Sequence, residues 1–197
     1  MKSPLIIGIT GGIGSGKTTL SEHLRREGFF VYDSDLEARR LQNEHPAIRK
    51  QLIEFFGAEI YTSQGLNRPE LARIVFAKHE SLYKLNEIVH PFVTEDFKKW
   101  IIKHSTQRFL FVESAILVES GFIKLVNKVV LMTASEDLRI RRVIKRDGVN
   151  SEQVKARMSN QLPDEAKIPL ADIVIHTDDN LPMVDKMKHL LEQLSAY

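Results

Sequence analysis

Cysteine is absent from this chain of 197 residues. Without a thiol the chain has no disulfide framework, thiolate zinc site, iron–sulfur cluster or cysteine nucleophile. The absence also fits a reducing compartment. Domains commonly have about 100 to 200 residues, so we expect one compact unit, with insertions, whose core needs no covalent or metal cross-link.

Excess charge and long apolar runs are lacking as well. Lys and Arg total 28 and Asp and Glu total 26, a net charge of +2. This is too small to predict non-specific nucleic-acid binding, although a local basic cluster could hold an anionic small molecule. The first apolar run ends at Thr10 and is broken by Gly8, so it is too short for a signal peptide or a membrane span. We therefore expect a cytoplasmic protein without a nucleic-acid or membrane partner; its oligomeric state is left open.

Short apolar runs predict five buried strands. Each is dense in Ile, Val, Leu or Phe without strict alternation, which is typical of a parallel sheet covered on both faces. Helical patterns separate the runs, so we expect an α/β fold with right-handed crossovers. The five runs are Leu5–Thr10, Phe29–Asp33, Phe109–Glu113, Lys128–Met132 and Asp172–Thr177.

The spacing of the strands predicts a helical insertion. Residues 11–28, eighteen in all, join the first two strands, whereas the seventy-five residues 34–108 join the second to the third. A single crossover needs far fewer. The patterns at 46–57, 68–77 and 82–100 read as helices, and Pro91 is expected to end or kink the last one near His90.

A second, charge-rich excursion separates the fourth strand from the fifth. We therefore predict a core built from three segments, a helical subdomain between them and a further insertion that covers the site. Their boundaries are 1–34, 108–134 and 170–197 for the core, 35–107 for the helical subdomain and 135–169 for the cover.

A phosphate-binding loop is the strongest local signal. The pattern G-x-x-x-x-G-K-[ST] follows the first strand and opens a helix at Thr19. Glycines let the backbone wrap around phosphates, and the helix start adds partial positive charge there. We expect the nucleotide to be bound by the loop residues and by Thr19, which follows them; the loop comprises Gly11, Gly12, Ile13, Gly14, Ser15, Gly16, Lys17 and Thr18.

The loop residues predict ATP and Mg²⁺ as ligands. Lys17 would reach the β- and γ-phosphates, and the hydroxyl of Thr18 would ligate the metal. The dinucleotide pattern G-x-G-x-x-G fails because Lys17 stands where its third glycine belongs. No D-x-x-G occurs, so the chain lacks a GTPase switch signature. A glycine-rich turn that only joins strand to helix would not need Lys17 and Thr18 in register.

Acidic residues follow two of the predicted strands. Asp33 ends the second strand at the edge where parallel sheets bind ligands, so it could act as the general base of a phosphoryl transfer or cap the next helix. Asp35 is well placed for capping. Glu113, at the end of the third strand, could orient a metal-bound water or accept local backbone hydrogen bonds. Glu119, further along, is a weaker candidate for such a role.

Arginines in the second excursion share a helix face. Arg139, Arg142 and Arg146 are three and four residues apart and follow the fourth strand. We assign phosphate contacts to Arg142 and Arg146, the alternative being a solvated charged face. Arg157 and Gln161 could belong to the same cover. His90, beside Pro91, could contact a ligand or be structural.

These motifs together resemble the dephospho-CoA kinases, a family of P-loop kinases. The loop with Asp33-Ser34-Asp35 and His90-Pro91 is more specific than the loop alone, and the matching pieces keep the family's order along nearly the whole chain. They are residues 9–18, 33–35, 66–68, 75–76, 85–91, 113–119, 142, 146–147 and 171–175.

The resemblance implies a P-loop fold with five parallel strands, a helical domain for the CoA moiety and a lid. It also implies transfer of the ATP γ-phosphoryl to the ribose 3′-hydroxyl of dephospho-CoA, with Mg²⁺. Asp33 would be the catalytic base, with Lys17 and Arg142 as the other catalytic residues. The acceptor would be bound by Asp33, Asp35, Arg68, His90 and Glu119, and the metal by Thr18 and Glu113.

Three residues depart from the family pattern. Ala115 stands where the family usually has Pro, Asn67 replaces Asp, and Thr177 stands where Asn often follows the last strand.

Two other functions fit the same residues: a P-loop kinase for a smaller hydroxyl acceptor, and a non-catalytic module that binds a partner through the loop. The long helical insertion favours a bulky acceptor.

Overall fold

The computed structural model describes residues 3–77 and 79–197. Within these residues, seven strands and nine α-helices are numbered in chain order. The strands are β1 Leu5–Thr10, β2 Phe30–Asp33, β3 Tyr61–Thr62, β4 Gly65–Leu66, β5 Phe109–Glu113, β6 Lys128–Thr133 and β7 Ile173–His176. The helices are α1 Lys17–Arg26, α2 Ser34–Glu44, α3 Pro46–Phe56, α4 Arg68–Ala77, α5 His79–Lys103, α6 Glu136–Asp147, α7 Ser151–Met158, α8 Asp164–Lys167 and α9 Met183–Ser195.

The main sheet has five strands in the order β2-β5-β1-β6-β7, and every neighbouring pair is parallel. This confirms the predicted five-stranded parallel sheet, with strand ends within one residue of the expected positions. The register places Ile9 and Asp33 on either side of Glu113. The carboxyl ends of β1, β2 and β5 therefore meet at one edge, where ligands bind in sheets of this class.

A continuous apolar cluster holds the sheet and its helices together. Leu20 and Leu24, one turn apart on α1, are fully buried and belong to the same cluster as Ile7 and Phe111 from the central strands. Leu190 on α9 joins this cluster. Burying a side chain of this size contributes about 1.5 to 3 kcal/mol, so the cluster fixes β1 and α1, the two elements that carry the phosphate-binding loop between them.

Residues Ser34–Lys103 form a separate compact unit, while 1–33 and 104–197 form the other. The helical unit contains α2 to α5 and the β3–β4 hairpin. Its helices bury Leu41, Ile48, Leu52 and Phe97.

Helix α5 does not end at Pro91. It continues from His79 to Lys103 with the proline inside it, so the expectation that Pro91 terminates the helix is wrong. A proline removes one backbone hydrogen bond and crowds the preceding turn. Buried side chains lie on both sides of it, Val89 before and Val93 after, and their packing offsets that cost. A kink near His90 stays a prediction.

Helices α6 and α7 make a small cluster of their own. Ile140 and Val143 of α6 pack with Val154 of α7, and a capping box at Asn150 and Gln153 begins α7.

Among the described residues, no helix combines the length and the apolar character that a membrane crossing requires.

Candidate active site

The loop between β1 and α1 has the backbone shape that the glycine pattern predicts. Gly16, directly before α1, has φ +98°, and Gly14 has φ +81°, both in the region that side chains disfavour. A Cβ on Gly14 would lie 2.6 Å from the carbonyl oxygen of Arg139. The glycines therefore serve both backbone conformation and the close approach of α6.

Lys17 folds back over this loop. Its Nζ donates to the carbonyl oxygens of Gly11 at 2.8 Å and Gly12 at 3.1 Å, and the residue is buried. The first turn of α1 carries no acidic side chain, so the partial positive charge of the helix start is not cancelled there. The loop thus combines an ammonium group with backbone N–H donors, as an anionic phosphate chain requires.

Thr18 and Glu113 meet beside the loop. The Thr18 hydroxyl donates to Oε1 of Glu113 at 2.7 Å, although the residues are 95 positions apart. Oε2 of Glu113 is buried and has no hydrogen-bond partner within 3–77 and 79–197. An unpaired buried carboxylate oxygen is costly, so this atom fits a cation or a metal-bound water. No group of three or more metal-ligating side chains occurs in the described chain.

Asp33 lies at the end of β2, in register with Glu113 and partly buried. The structure thus brings Asp33, Glu113 and Thr18 to one sheet edge next to the loop. Asp35 lies in the first turn of α2, where a carboxylate interacts favourably with the helix dipole. Asp33 directly precedes α2 and so occupies its N-cap position, whereas Asp35 lies inside the first turn. The catalytic role of Asp33 stays a prediction.

The predicted arginines differ in their surroundings. Arg142 is bound to the loop side of the site: Nη1 donates to Gly14 O at 3.3 Å and to Thr177 Oγ1 at 2.9 Å, and Nη2 donates to Thr177 O at 2.7 Å. Arg146 instead pairs with Asp147 at 2.7 Å and is 59% exposed. Asp147 also accepts from Arg157, so this second group is an ion-pair network at the end of α6.

Arg139 lies against the loop, a position that the sequence did not single out. A Cβ on Gly12 would be 1.7 Å from Nη1 of Arg139, so the guanidinium occupies the space left by the glycine. Asp164 lies 3.7 Å from Nη1 and accepts from the Thr133 hydroxyl at 2.6 Å. The only sequence signal was the shared helix face with Arg142; no motif indicated Asp164.

The segment after α7 is attached to the core at several points. Gln161 Oε1 accepts from the N–H of Ile13 at 2.9 Å. Glu119 accepts from the backbone N–H of Leu162 at 2.8 Å and pairs with the buried ammonium of Lys167 at 3.0 Å. Glu119, expected to bind substrate, is thus engaged in holding this segment in place.

Two predicted residues lie in the helical unit. Arg68 begins α4, and its Nη2 donates to the carbonyl oxygen of Arg39 at 3.3 Å; burial, and then the nearby charge of Arg39, lower its pKa. Burial also lowers the pKa of His90, which favours its neutral form. The binding of an acceptor by Arg68 and His90 stays a prediction.

The fold and the site define a P-loop kinase: a parallel sheet, a loop with Lys17 and Thr18, and carboxylates at the adjoining strand ends. Residues 5–182 match the family model described as dephospho-CoA kinase. The chain belongs to this family. It is similar to the dephospho-CoA kinase of Bacteroides fragilis, with 38% identity over 185 residues that cover 94% of this chain and 90% of the relative.

Solved structures agree with this assignment. TT1252 from Thermus thermophilus is 34% identical, with a TM-score of 0.84 and coverage of 98% of this chain and 99% of that one. The dephospho-CoA kinase from Campylobacter jejuni is 25% identical, with a TM-score of 0.69 and 97% of each chain covered. A shikimate kinase from Acinetobacter baumannii, 17% identical with a TM-score of 0.57 and covering 98% of this chain and 94% of that one, shares the fold.

Proposed function

We propose that this protein transfers the γ-phosphoryl group of ATP to the ribose 3′-hydroxyl of dephospho-CoA, giving coenzyme A and ADP. The observation that carries this proposal is the arrangement of Asp33 next to Glu113 and the Thr18 hydroxyl, beside a loop that already holds Lys17. Family membership supplies the acceptor. The helical unit, residues 34–103, is large enough to suit a substrate bigger than a sugar or a small acid.

The loop binds the triphosphate. Lys17 and the N–H groups at the start of α1 stabilise its charge, and Arg142, held at the loop, adds a second cation. Phosphoryl transfer needs little covalent participation by the protein, so positioning and electrostatic stabilisation account for most of the rate. The enzyme thus depends on keeping these donors fixed before the nucleotide arrives.

Thr18 and Glu113 fit a Mg²⁺ ion. A hydroxyl and a carboxylate are oxygen ligands of the kind that Mg²⁺ prefers, and Mg²⁺ usually keeps several waters besides. The buried, unpaired Oε2 of Glu113 is suited to receive a hydrogen bond from one of these waters. When bound, the ion neutralises charge on the phosphates.

Asp33 acts as the general base. Its place at the end of β2 matches the edge where the phosphates lie, so its carboxylate can accept the proton of the attacking hydroxyl. We propose that Asp35, Arg68 and His90 contribute to acceptor binding in residues 35–107. Residues 135–169 form the lid, and the reaction takes place in the cytoplasm.

The test is an incubation of the purified protein with Mg²⁺-ATP and each of several hydroxyl acceptors, including dephospho-CoA and shikimate. Mass detection should show one added phosphate on dephospho-CoA, formed together with ADP. The Lys17→Ala variant is the matched control and should form no product. Phosphorylation of a smaller acceptor in preference to dephospho-CoA would overturn the proposal, and so would ATP binding without any turnover.

A further inference from the structure

Thr177 directly follows β7 and is buried, with 4% exposure. Its hydroxyl lies beside the phosphate-binding loop. Oγ1 accepts from Nη1 of Arg142 at 2.9 Å, and its single proton has two carbonyl acceptors within reach, Ser15 O at 3.0 Å and Thr133 O at 3.3 Å, of which Ser15 O is the nearer. The backbone N–H of Thr177 donates to Thr133 O at 2.9 Å, which fixes the residue to the end of β6.

The bond to Ser15 sets the direction of a loop N–H group. In a planar trans peptide the C=O and the N–H point in opposite directions. Because the Ser15 carbonyl oxygen accepts from Thr177, the N–H of Gly16 in the same peptide points away from Thr177. Gly16 immediately precedes α1, so this N–H belongs to the donors at the helix start that bind anions.

The second bond of the hydroxyl orients Arg142. Nη2 of Arg142 donates to the carbonyl oxygen of Thr177 at 2.7 Å, while Nη1 donates to the hydroxyl. Thr177 therefore binds both terminal nitrogens of the guanidinium. Nη1 also reaches Gly14 O at 3.3 Å. A guanidinium held at two nitrogens loses little further side-chain freedom when a phosphate oxygen binds, so its contribution to affinity is larger.

We propose that Thr177 is a positioning residue for the triphosphate of ATP. Its hydroxyl fixes the Ser15–Gly16 peptide and the guanidinium of Arg142 in the orientation that receives phosphate oxygens. This inference rests on the proposed function only in taking ATP as the ligand; it does not depend on the identity of the acceptor.

The experiment compares Thr177→Val with Thr177→Ser. Valine keeps the shape and removes the hydroxyl, whereas serine keeps the hydroxyl and removes the methyl group. The dissociation constant of Mg²⁺-ATP is measured by titration calorimetry without any acceptor, so that a failure of the proposed reaction leaves the test intact. We expect about tenfold weaker binding for valine and a change of no more than about twofold for serine.

Two further readouts separate positioning from general stability. In steady-state kinetics, the KM for ATP should rise in Thr177→Val while the KM for dephospho-CoA stays unchanged. In an Arg142→Ala background the same substitution should weaken ATP binding clearly less than in the wild type, since one of its two targets is already gone. Thermal melting of each variant checks that it is folded, and Thr177→Ala replaces valine if that variant melts early.

The proposal would be overturned by wild-type ATP affinity in Thr177→Val. Equal losses in the serine and valine variants would also overturn it, because packing and not the hydroxyl would then be responsible. A rise in the KM of both substrates by the same factor would indicate a structural role only. Full additivity with Arg142→Ala would contradict the link to the guanidinium.

Discussion

Removal of the Glu119 carboxylate is expected to destabilise the protein, because it leaves a buried cation behind. The Lys167 side chain is 1% exposed and its Nζ lies 3.0 Å from Oε1 of Glu119, which is itself 20% exposed. In Glu119→Leu, the Lys167 ammonium would retain the carbonyl oxygen of Ala115, 3.5 Å away, as a weak hydrogen-bond acceptor. The backbone N–H of Leu162 would lose its acceptor.

The size of the effect follows from the burial. Breaking a buried ion pair by removing one partner costs about 3 to 5 kcal/mol. Since Glu119 is partly exposed and water can replace some of its interaction, we expect the lower end, about 3 kcal/mol. For a chain of this length that corresponds to a melting temperature lower by about 6 to 12 °C. Urea denaturation gives the free energy of unfolding directly.

Two variants serve as controls. Lys167→Met together with Glu119→Leu should recover much of the loss, because no unpaired charge remains. Glu165→Gln, an exposed carboxylate on the same short helix, should change stability by less than about 0.5 kcal/mol. A loss under about 1 kcal/mol for Glu119→Leu, with a raised KM for dephospho-CoA, would refute the reasoning and favour the substrate-binding role predicted from sequence.

Three further predictions concern the site and the helical unit. Asp33→Asn should lower kcat by about 10² to 10⁴ with little change in ATP affinity, and near-normal turnover would exclude Asp33 as the base. Gly12→Ala should displace the Arg139 guanidinium. The loss of kcat in the Gly12→Ala/Arg139→Ala double variant should therefore be smaller than the sum of the losses in the two single variants, and a fully additive loss would contradict this contact. Because burial lowers the pKa of His90, the unfolded chain takes up the proton first, and stability should fall as pH drops below 6.5. His90→Gln should flatten that dependence in denaturation curves from pH 5 to 8; an unchanged slope would argue against it.

Strands could be predicted because each buried strand of the sheet is a dense apolar run, as in β1 and β5. A helix after Asp33 was expected from the capping alternative, but the bounds of α2 were not predicted, since it buries only Ser34 and Leu41 and carries charge on most of its surface. The β3–β4 hairpin has two residues per strand, too few for any periodic signal. The prediction that Pro91 could end α5 failed because the local backbone preference was outweighed by packing on both sides, while the predicted kink is untested.

The site divides in the same way. The loop, Asp33 and Glu113 could be found because they follow strands in sequence, and their meeting follows from parallel topology. Thr177 was named only as a departure from the family pattern. Neither its contacts with the loop nor Asp164 could be found, since each residue reaches the loop or its neighbour from another part of the chain. Their roles depend on hydrogen bonds that exist only after folding, such as the one from Thr177 to Ser15, 162 positions away.

The most direct test of the central claim uses ATP labelled with ¹⁸O on the γ-phosphoryl group, dephospho-CoA and the wild-type protein. The account predicts that ³¹P NMR and mass spectrometry place the labelled phosphate as a monoester on the ribose 3′-oxygen, with ADP in equal amount, and that Lys17→Ala gives none. Label released as inorganic phosphate, or esterified at another hydroxyl, would contradict it.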